Sequence, residues 1–399
     1  MTPTDLLFNG PFSELSPGVY TDDAIFTEFA AQKFGGLYTV NRLTAEAWSH
    51  TFDGYLGGPD ARVGVLFDSL GGLNRTGLVI EGYKKNQLDD RDWPALVPVN
   101  GSVAAVSGPT YGSPAGPVGG FRLTAAAAGD CYIQIPGLFG AIANQFIALS
   151  VAAWQPSTGP GQFFMGFVSD GVQTFTGTQG ASWRWFTTTI LAGAAPTDFR
   201  IGFTATGAGE SLDFAFPQVE LYEGTSPILE GARIAESLGI AMANIVQNGR
   251  LSFEWDLIPE TDYSNSTATI SLLYVDATNR VDLVWDPALI PGPSWRVQVT
   301  INGVVTSSEG IGWNRGVRLR LFLVSGNGPC KLAWKYDEAE TVCRSASFAG
   351  TLPSWPTLNQ ALVMGLPDPL VRQLSSIVLN LRAYPNGGQP DWVGCACAS

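Results

Sequence analysis

The sequence predicts a mostly β protein, with two antiparallel β-sandwich domains behind an irregular N-terminal segment. Three observations lead there. Hydrophobic residues make up 45% of the 399 and charged residues only 14%, which supplies apolar material for real cores and excludes a disordered chain. Glycine (47) and proline (26) are scattered without a fixed period, which excludes collagen and signals frequent turns between short strands. From about residue 95 onward, runs rich in Val, Ile, Phe, Tyr, Trp and Thr recur every 10 to 20 residues, the spacing of a sandwich or barrel. The length is too great for one ordinary sandwich, and the chain divides into 1–94, 95–228 and 229–399.

Residues 1–94 have the weakest periodicity. Asp22 to Lys33 and Thr44 to His50 are candidate short helices, and Arg62 to Asp68 is a candidate strand. The segment carries too little patterned apolar sequence for a core of its own and is read as one that folds against something else. A loop-rich stretch from Gly101 to Gly120 then leads into candidate strands. These are Tyr132 to Pro136, Gln145 to Trp154, Gln162 to Val168, Trp183 to Thr189, Phe199 to Thr204 and Leu212 to Tyr222. In Phe199-Arg200-Ile201-Gly202-Phe203 the alternation is strict, so one face is apolar.

After a helical candidate at Leu229 to Leu238, a second series runs from Arg250 to Tyr384. Its clearest element is the hairpin Trp295 to Val305, where Asn302-Gly303 accepts the two positive φ values of a type I′ turn. Val317 to Leu323 and Val378 to Tyr384 alternate, which predicts half-buried strands with their arginines facing water. The tail Gly394 to Ser399 reads as exposed.

The net charge of −13 opposes phosphate backbones, and the longest basic run is the pair Lys84-Lys85, so nucleic acid is not an expected partner. No stretch approaches the roughly 18 to 20 apolar residues of a membrane-spanning helix, and the start lacks the pattern of a secretory signal. Membrane insertion is not expected, and synthesis in the cytosol is. Five cysteines without a zinc-like double pair read as mainly free thiols, with a Cys330–Cys343 pairing left open.

His50 is the only histidine, and no nucleophile motif accompanies it, so Ser-His-Asp and Cys-His chemistry is not expected. A histidine-rich metal site is excluded, whereas an all-carboxylate calcium site stays open without a place to put it. Asp89, Asp90 and Asp92 read as solvated surface. Glycoside hydrolysis needs two carboxylates; Glu220, Glu254 and Asp256 lie on strands, as such residues do on any wet sheet face, and nothing marks a pair. The chain is therefore read as a non-enzyme. Aromatic residues are the stronger lead, because sugars stack on flat rings. Trp183 and Trp185 lie two apart on one strand and share a face, either a sugar platform or core; Trp154 and Trp313 pose the same question.

The middle module resembles the carbohydrate-binding jelly-roll modules of phage tail and fibre proteins. The resemblance rests on Phe199 to Gly207, on Leu212 to Tyr222 with its Gln218-Val219-Glu220, and on Thr225-Ser226-Pro227-Ile228. The C-terminal module looks like a laminin-G or concanavalin-like sandwich, through Arg250 to Asp256, Cys330 to Tyr336 and Ser375 to Pro385. The family's calcium-binding acidic residues have no matched positions here. The resemblance implies a structural protein of a tailed-bacteriophage virion, a tail or head fibre or spike. Residues 1–94 would dock onto other virion proteins, and the sandwiches would touch host-surface polysaccharide. Phage fibres also imply an oligomer of identical chains, a trimer by analogy. A ligand-free decoration or tail-shell component and a glycan depolymerase are the alternatives.

Overall fold

The computed structural model describes residues 8–10, 38–41, 63–66, 75–80, 84–88, 92–108, 119–155, 159–178, 183–221, 232–233, 237–259, 267–289, 294–311, 318–326, 328–336, 344–352, 354–357, 360–365 and 376–394. The early strands are β1 (Phe8–Gly10), β2 (Tyr38–Asn41), β3 (Val63–Leu66), β4 (Arg75–Ile80) and β5 (Lys84–Lys85). Next come β6 (Gly101–Ser107), β7 (Gly119–Ala125), β8 (Gly129–Leu138), β9 (Phe146–Trp154), β10 (Gln162–Phe167), β11 (Gln173–Thr176), β12 (Arg184–Leu191), β13 (Thr197–Ala205) and β14 (Ser211–Leu221). The remainder are β15 (Ala232–Arg233), β16 (Ser237–Ala241), β17 (Val246–Gln247), β18 (Arg250–Pro259), β19 (Ala268–Asp276), β20 (Asn279–Asp286), β21 (Ser294–Ile301), β22 (Val304–Ser307), β23 (Leu319–Ser325), β24 (Gly328–Tyr336), β25 (Arg344–Leu352), β26 (Gln360–Met364) and β27 (Ser376–Ala383). The protein is mostly β, in several antiparallel sheets, and the strands fall into two compact units: β5 to β15, and β1 to β4 with β16 to β27.

The middle unit holds a five-stranded sheet in the order β12-β9-β14-β7-β6 and a four-stranded sheet in the order β11-β10-β13-β8. One hydrophobic cluster draws on both, through Phe121, Leu149, Val151 and Phe214 from the first and Ile133, Phe163, Ile201 and Phe203 from the second. Two sheets sharing one core are consistent with a β-sandwich. Alternation works as expected in β13, where Phe199, Ile201 and Phe203 are buried in that cluster. Where β7 ends, the chain at 86–88 lines β14 instead: Asn86 Oδ1 accepts from Val219 N at 3.0 Å, and Gln87 N donates to Val219 O at 2.8 Å.

The terminal unit has a seven-stranded sheet, β2-β16-β26-β19-β20-β21-β22. Its nine-stranded sheet runs β25-β24-β23-β18-β27-β4-β3, with β1 on β27 and β17 on β18. Again one cluster spans both sheets, from Leu283, Trp295 and Val299 to Phe253, Trp255, Leu321 and Leu381. The β21–β22 hairpin turns at Asn302 (φ 50°) and Gly303 (φ 78°), the type I′ geometry the sequence predicts.

Several expectations need correction. Gly101–Ser107 is an exposed edge strand paired with β7; its Ala and Ser residues carry little apolar signal. The helical candidate at 229–238 contributes strand at Ala232–Arg233 and from Ser237, because Leu238 to Ala241 pair with β26 and β2, and sheet pairing overrides local helix propensity. Arg318 does not face water: its side chain is 10% exposed and is turned onto Asp256. The candidate helices at 22–33 and 44–50, residues 89 and 90 of the acidic cluster, and the tail beyond 394 lie outside the described residues.

Candidate functional site

On the five-stranded sheet, Ile147, Leu149, Val151 and Ala153 of β9 enter the core, so Ala148, Ser150, Ala152 and Trp154 take the other face. The structure brings Trp154 and Trp183 together there, with ring centroids 6.1 Å apart and planes tilted by 44°. Trp183 is 6% exposed, whereas Trp154 is half-buried. A Cβ on Gly120 would approach the Trp183 ring to 3.2 Å, so the indole lies across the sheet over a position that has no side chain. Trp154 is opposite Asp213 on β14. Asp213 is 1% exposed and accepts from Arg122 Nε at 2.6 Å and Nη2 at 2.9 Å; the hydrogen bond holds the guanidinium above its ordinary pKa. The register sets Trp185 opposite Ala152, and Trp313 is outside the described residues.

The four-stranded sheet has an outward face that sequence reasoning passed over. Phe164 of β10, Gly202 of β13 and Tyr132 of β8 stand in one row across three strands, and Thr174 of β11 extends it. Tyr132 and Phe164 are half-buried, with ring centroids 6.3 Å apart over the glycine. A Cβ at Gly202 would fall inside contact distance of the Cys131 carbonyl and of Tyr132, so close strand approach demands glycine there. One row along, Arg200 lies opposite Gln134. Its guanidinium carbon sits 4.5 Å above the Tyr132 ring centroid, and its Nε donates to Gln134 Oε1 at 2.9 Å. Asp130 accepts from the Thr204 hydroxyl at 2.6 Å, and Asp198 from Gly137 N at 3.2 Å. The alternation of Cys131, Ile133 and Ile135 into the core was the signal that assigns Tyr132 and Gln134 to this face.

The strand carboxylates of the terminal unit are not on a wet face, as the sequence suggested, but buried: Glu254 and Asp256 are each 1% exposed. Asp256 accepts both Arg318 Nε and Nη2 at 2.6 Å and Asn380 Nδ2 at 2.8 Å. Glu254 accepts from Tyr384 Oη at 2.6 Å, Trp392 Nε1 at 2.8 Å and Arg382 Nη1 at 3.3 Å. Burial beside Glu254 drives the Tyr384 hydroxyl far above its usual range. Both carboxylates spend their lone pairs on fixed donors, and neither has an open side for a sugar or a water. In the middle unit Glu220 is fully buried and accepts from Gln218 Nε2 at 2.8 Å. Asp282 on β20 is 4% exposed, with Arg280 Nε 3.1 Å from Oδ2 and no hydrogen bond at Oδ1; burial lifts its carboxyl to about 6.

A cleft of about 340 Å³ beside Gln87 and the 136–142 loop presents no titratable side chain. Cys131 and Cys330 are buried thiols, raised by burial to about 11 and about 12; Cys343 is outside the described residues. Among the described residues no group of three metal-ligating side chains converges, and no helix is long and apolar enough to cross a membrane. No known protein family matches the chain, and no curated protein is similar to it.

Proposed function

We propose that this chain is a non-enzymatic structural protein on the surface of a tailed-phage particle, a fibre or spike that contacts host-surface glycans through its middle unit. The observation that supports glycan contact most directly is the Tyr132–Phe164 row: two half-exposed rings flanking a glycine, with amide, hydroxyl and guanidinium groups around them. A pyranose presents one apolar face and a rim of hydroxyls, and such a platform meets both demands. Trp154, with Arg122 and Asp213 beside it, is the secondary contact.

The strand order supports the module reading. Omitting β6, the two sheets read β7-β14-β9-β12 and β8-β13-β10-β11, so first pairs last and second pairs next-to-last, the winding of an eight-stranded jelly roll. The second sandwich, concanavalin-like, is read from the seven- and nine-stranded sheets. Against the depolymerase alternative stand the occupied carboxylates Glu254 and Asp256.

A glycan array and a host-cell binding assay test the proposal, with Tyr132→Ala and Phe164→Ala as controls. Each substitution should weaken binding about five- to thirtyfold, since loss of one stacked ring removes about 1–2 kcal/mol. Absence of binding to any glycan or cell would leave the ligand-free decoration protein as the better reading. We assign virion attachment to residues 1–94. Deleting them also removes β1 to β5 from three sheets, so a particle map that locates the chain is the cleaner test. Density for residues 1–94 pointing away from the particle would refute the assignment.

A further inference from the structure

We infer that the Tyr132–Phe164 platform is selective for an anionic glycan, whose acid group is gripped by Arg200. This rests on the glycan-contact reading above and names the class of sugar.

The chain carries 35 acidic against 22 basic residues, so a cation left without a counter-ion is notable. Among the described residues Arg122, Arg280, Arg296, Arg318, Arg320 and Arg382 each lie within 4 Å of a carboxylate. Arg200 does not. Its partners are the neutral Gln134 amide, which takes Nε, and the face of Tyr132. The acidic side chains of the two strands, Asp130 and Asp198, bind Thr204 and the Gly137 amide. The Nη1 and Nη2 edge of the guanidinium therefore carries its donors without a protein acceptor.

That edge is a planar fork matched to two oxygens of a carboxylate or a phosphate. Stacking on Tyr132 and the Gln134 bond fix the plane of the fork, so little side-chain freedom remains to be lost on binding. A sugar stacked over Gly202, between the two rings, would place a ring substituent within reach of the adjacent row where Arg200 stands. A neutral sugar leaves the fork to water, whereas an acidic one replaces that water with a charge-assisted pair.

The test uses the full chain in titration calorimetry at low salt, with four probes: oligogalacturonate tetramer, its methyl ester, a glycerol-phosphate teichoic tetramer and cellotetraose. The expected result is at least tenfold tighter binding of one acidic probe than of the neutral pair, falling as salt is raised. Arg200→Gln should abolish that preference, so that acidic and neutral probes bind this variant equally, with Arg200→Lys intermediate. Thermal unfolding of each variant checks that the fold is kept, and Arg200→Lys stands in if the glutamine variant does not fold. Carboxylate or phosphate preference is told by which acidic probe wins. Equal binding of acidic and neutral probes, or a preference that survives in Arg200→Gln, would overturn the inference while leaving glycan contact intact. Binding of none of the four would sink both.

Discussion

The same ingredients, arginines, carboxylates and aromatic rings, meet on one sheet face in each unit, with opposite outcomes. In the terminal unit, Glu254 and Asp256 are enclosed by Arg318, Asn380, Arg382, Tyr384 and Trp392, each of which donates to one of the two carboxylates. In the middle unit, Arg200, Tyr132 and Phe164 lie on a face where the cation has no carboxylate and the rings stay half-exposed. The first arrangement is closed and holds structure together. The second leaves binding capacity unspent. Residue identity does not separate the two; what separates them is whether a neighbouring segment covers the face. Tyr384, Trp392 and Val393 do so in the terminal unit, packing on Phe322 and Ala333.

The largest test of this contrast removes one acid from the closed network. Asp256→Ala would leave Arg318, 10% exposed, without its counter-ion, and should destabilise the terminal unit by about 3–5 kcal/mol in urea unfolding. A loss under about 1 kcal/mol would mean the network is loosely hydrated. Asp282 is the intermediate case, a buried acid with half its bonding unmet. Its carboxyl is lifted from 3.8 to about 6, against the pull of Arg280. The folded form thus keeps a proton that the unfolded form has released. The stability from this group is complete below about pH 4 and is lost as pH rises through 6. Asp282→Asn should raise stability by about 2–3 kcal/mol at pH 7 and by almost nothing at pH 4. A gain that is the same at both pH values would contradict the buried, protonated acid. The smallest effect is expected from Tyr384→Phe, which deletes one donor to Glu254 and should cost about 1.5 kcal/mol, read from the same unfolding curves.

Much of the fold was legible in the sequence. Alternation located β13 and β27, and Asn302-Gly303 fixed a turn, because a two-residue period and a positive-φ pair are local properties. β6 and β16 were not legible, since Gly101–Ser107 and Ser237–Ala241 are strands only through their partners. Residue spacing put Trp183 and Trp185 on one strand; β12 starts at Arg184, so its register sets Trp185 opposite Ala152 while Trp183 precedes the strand. That Trp183 would be covered while Tyr132 and Phe164 stay half-open depends on which segments lie over each sheet, and no period in the chain records it. Glu254 and Asp256 likewise looked wet, because their cover comes from Tyr384 and Arg318, more than 60 residues away.

The pairing of β27 has a consequence for biosynthesis. Phe8 meets Ala383 and Leu78 meets Val378, so β1 and β4 wait for a strand synthesised about 300 residues or more after them. β27 also completes β18 on its other flank. Until then β18 and β4 expose unpaired edges that invite other chains, whereas the middle unit, whose strands come from consecutive stretches, has all its partners at hand much earlier. A chain cut short before β27 would thus emerge with a finished middle and an open seam, and its fate would be aggregation.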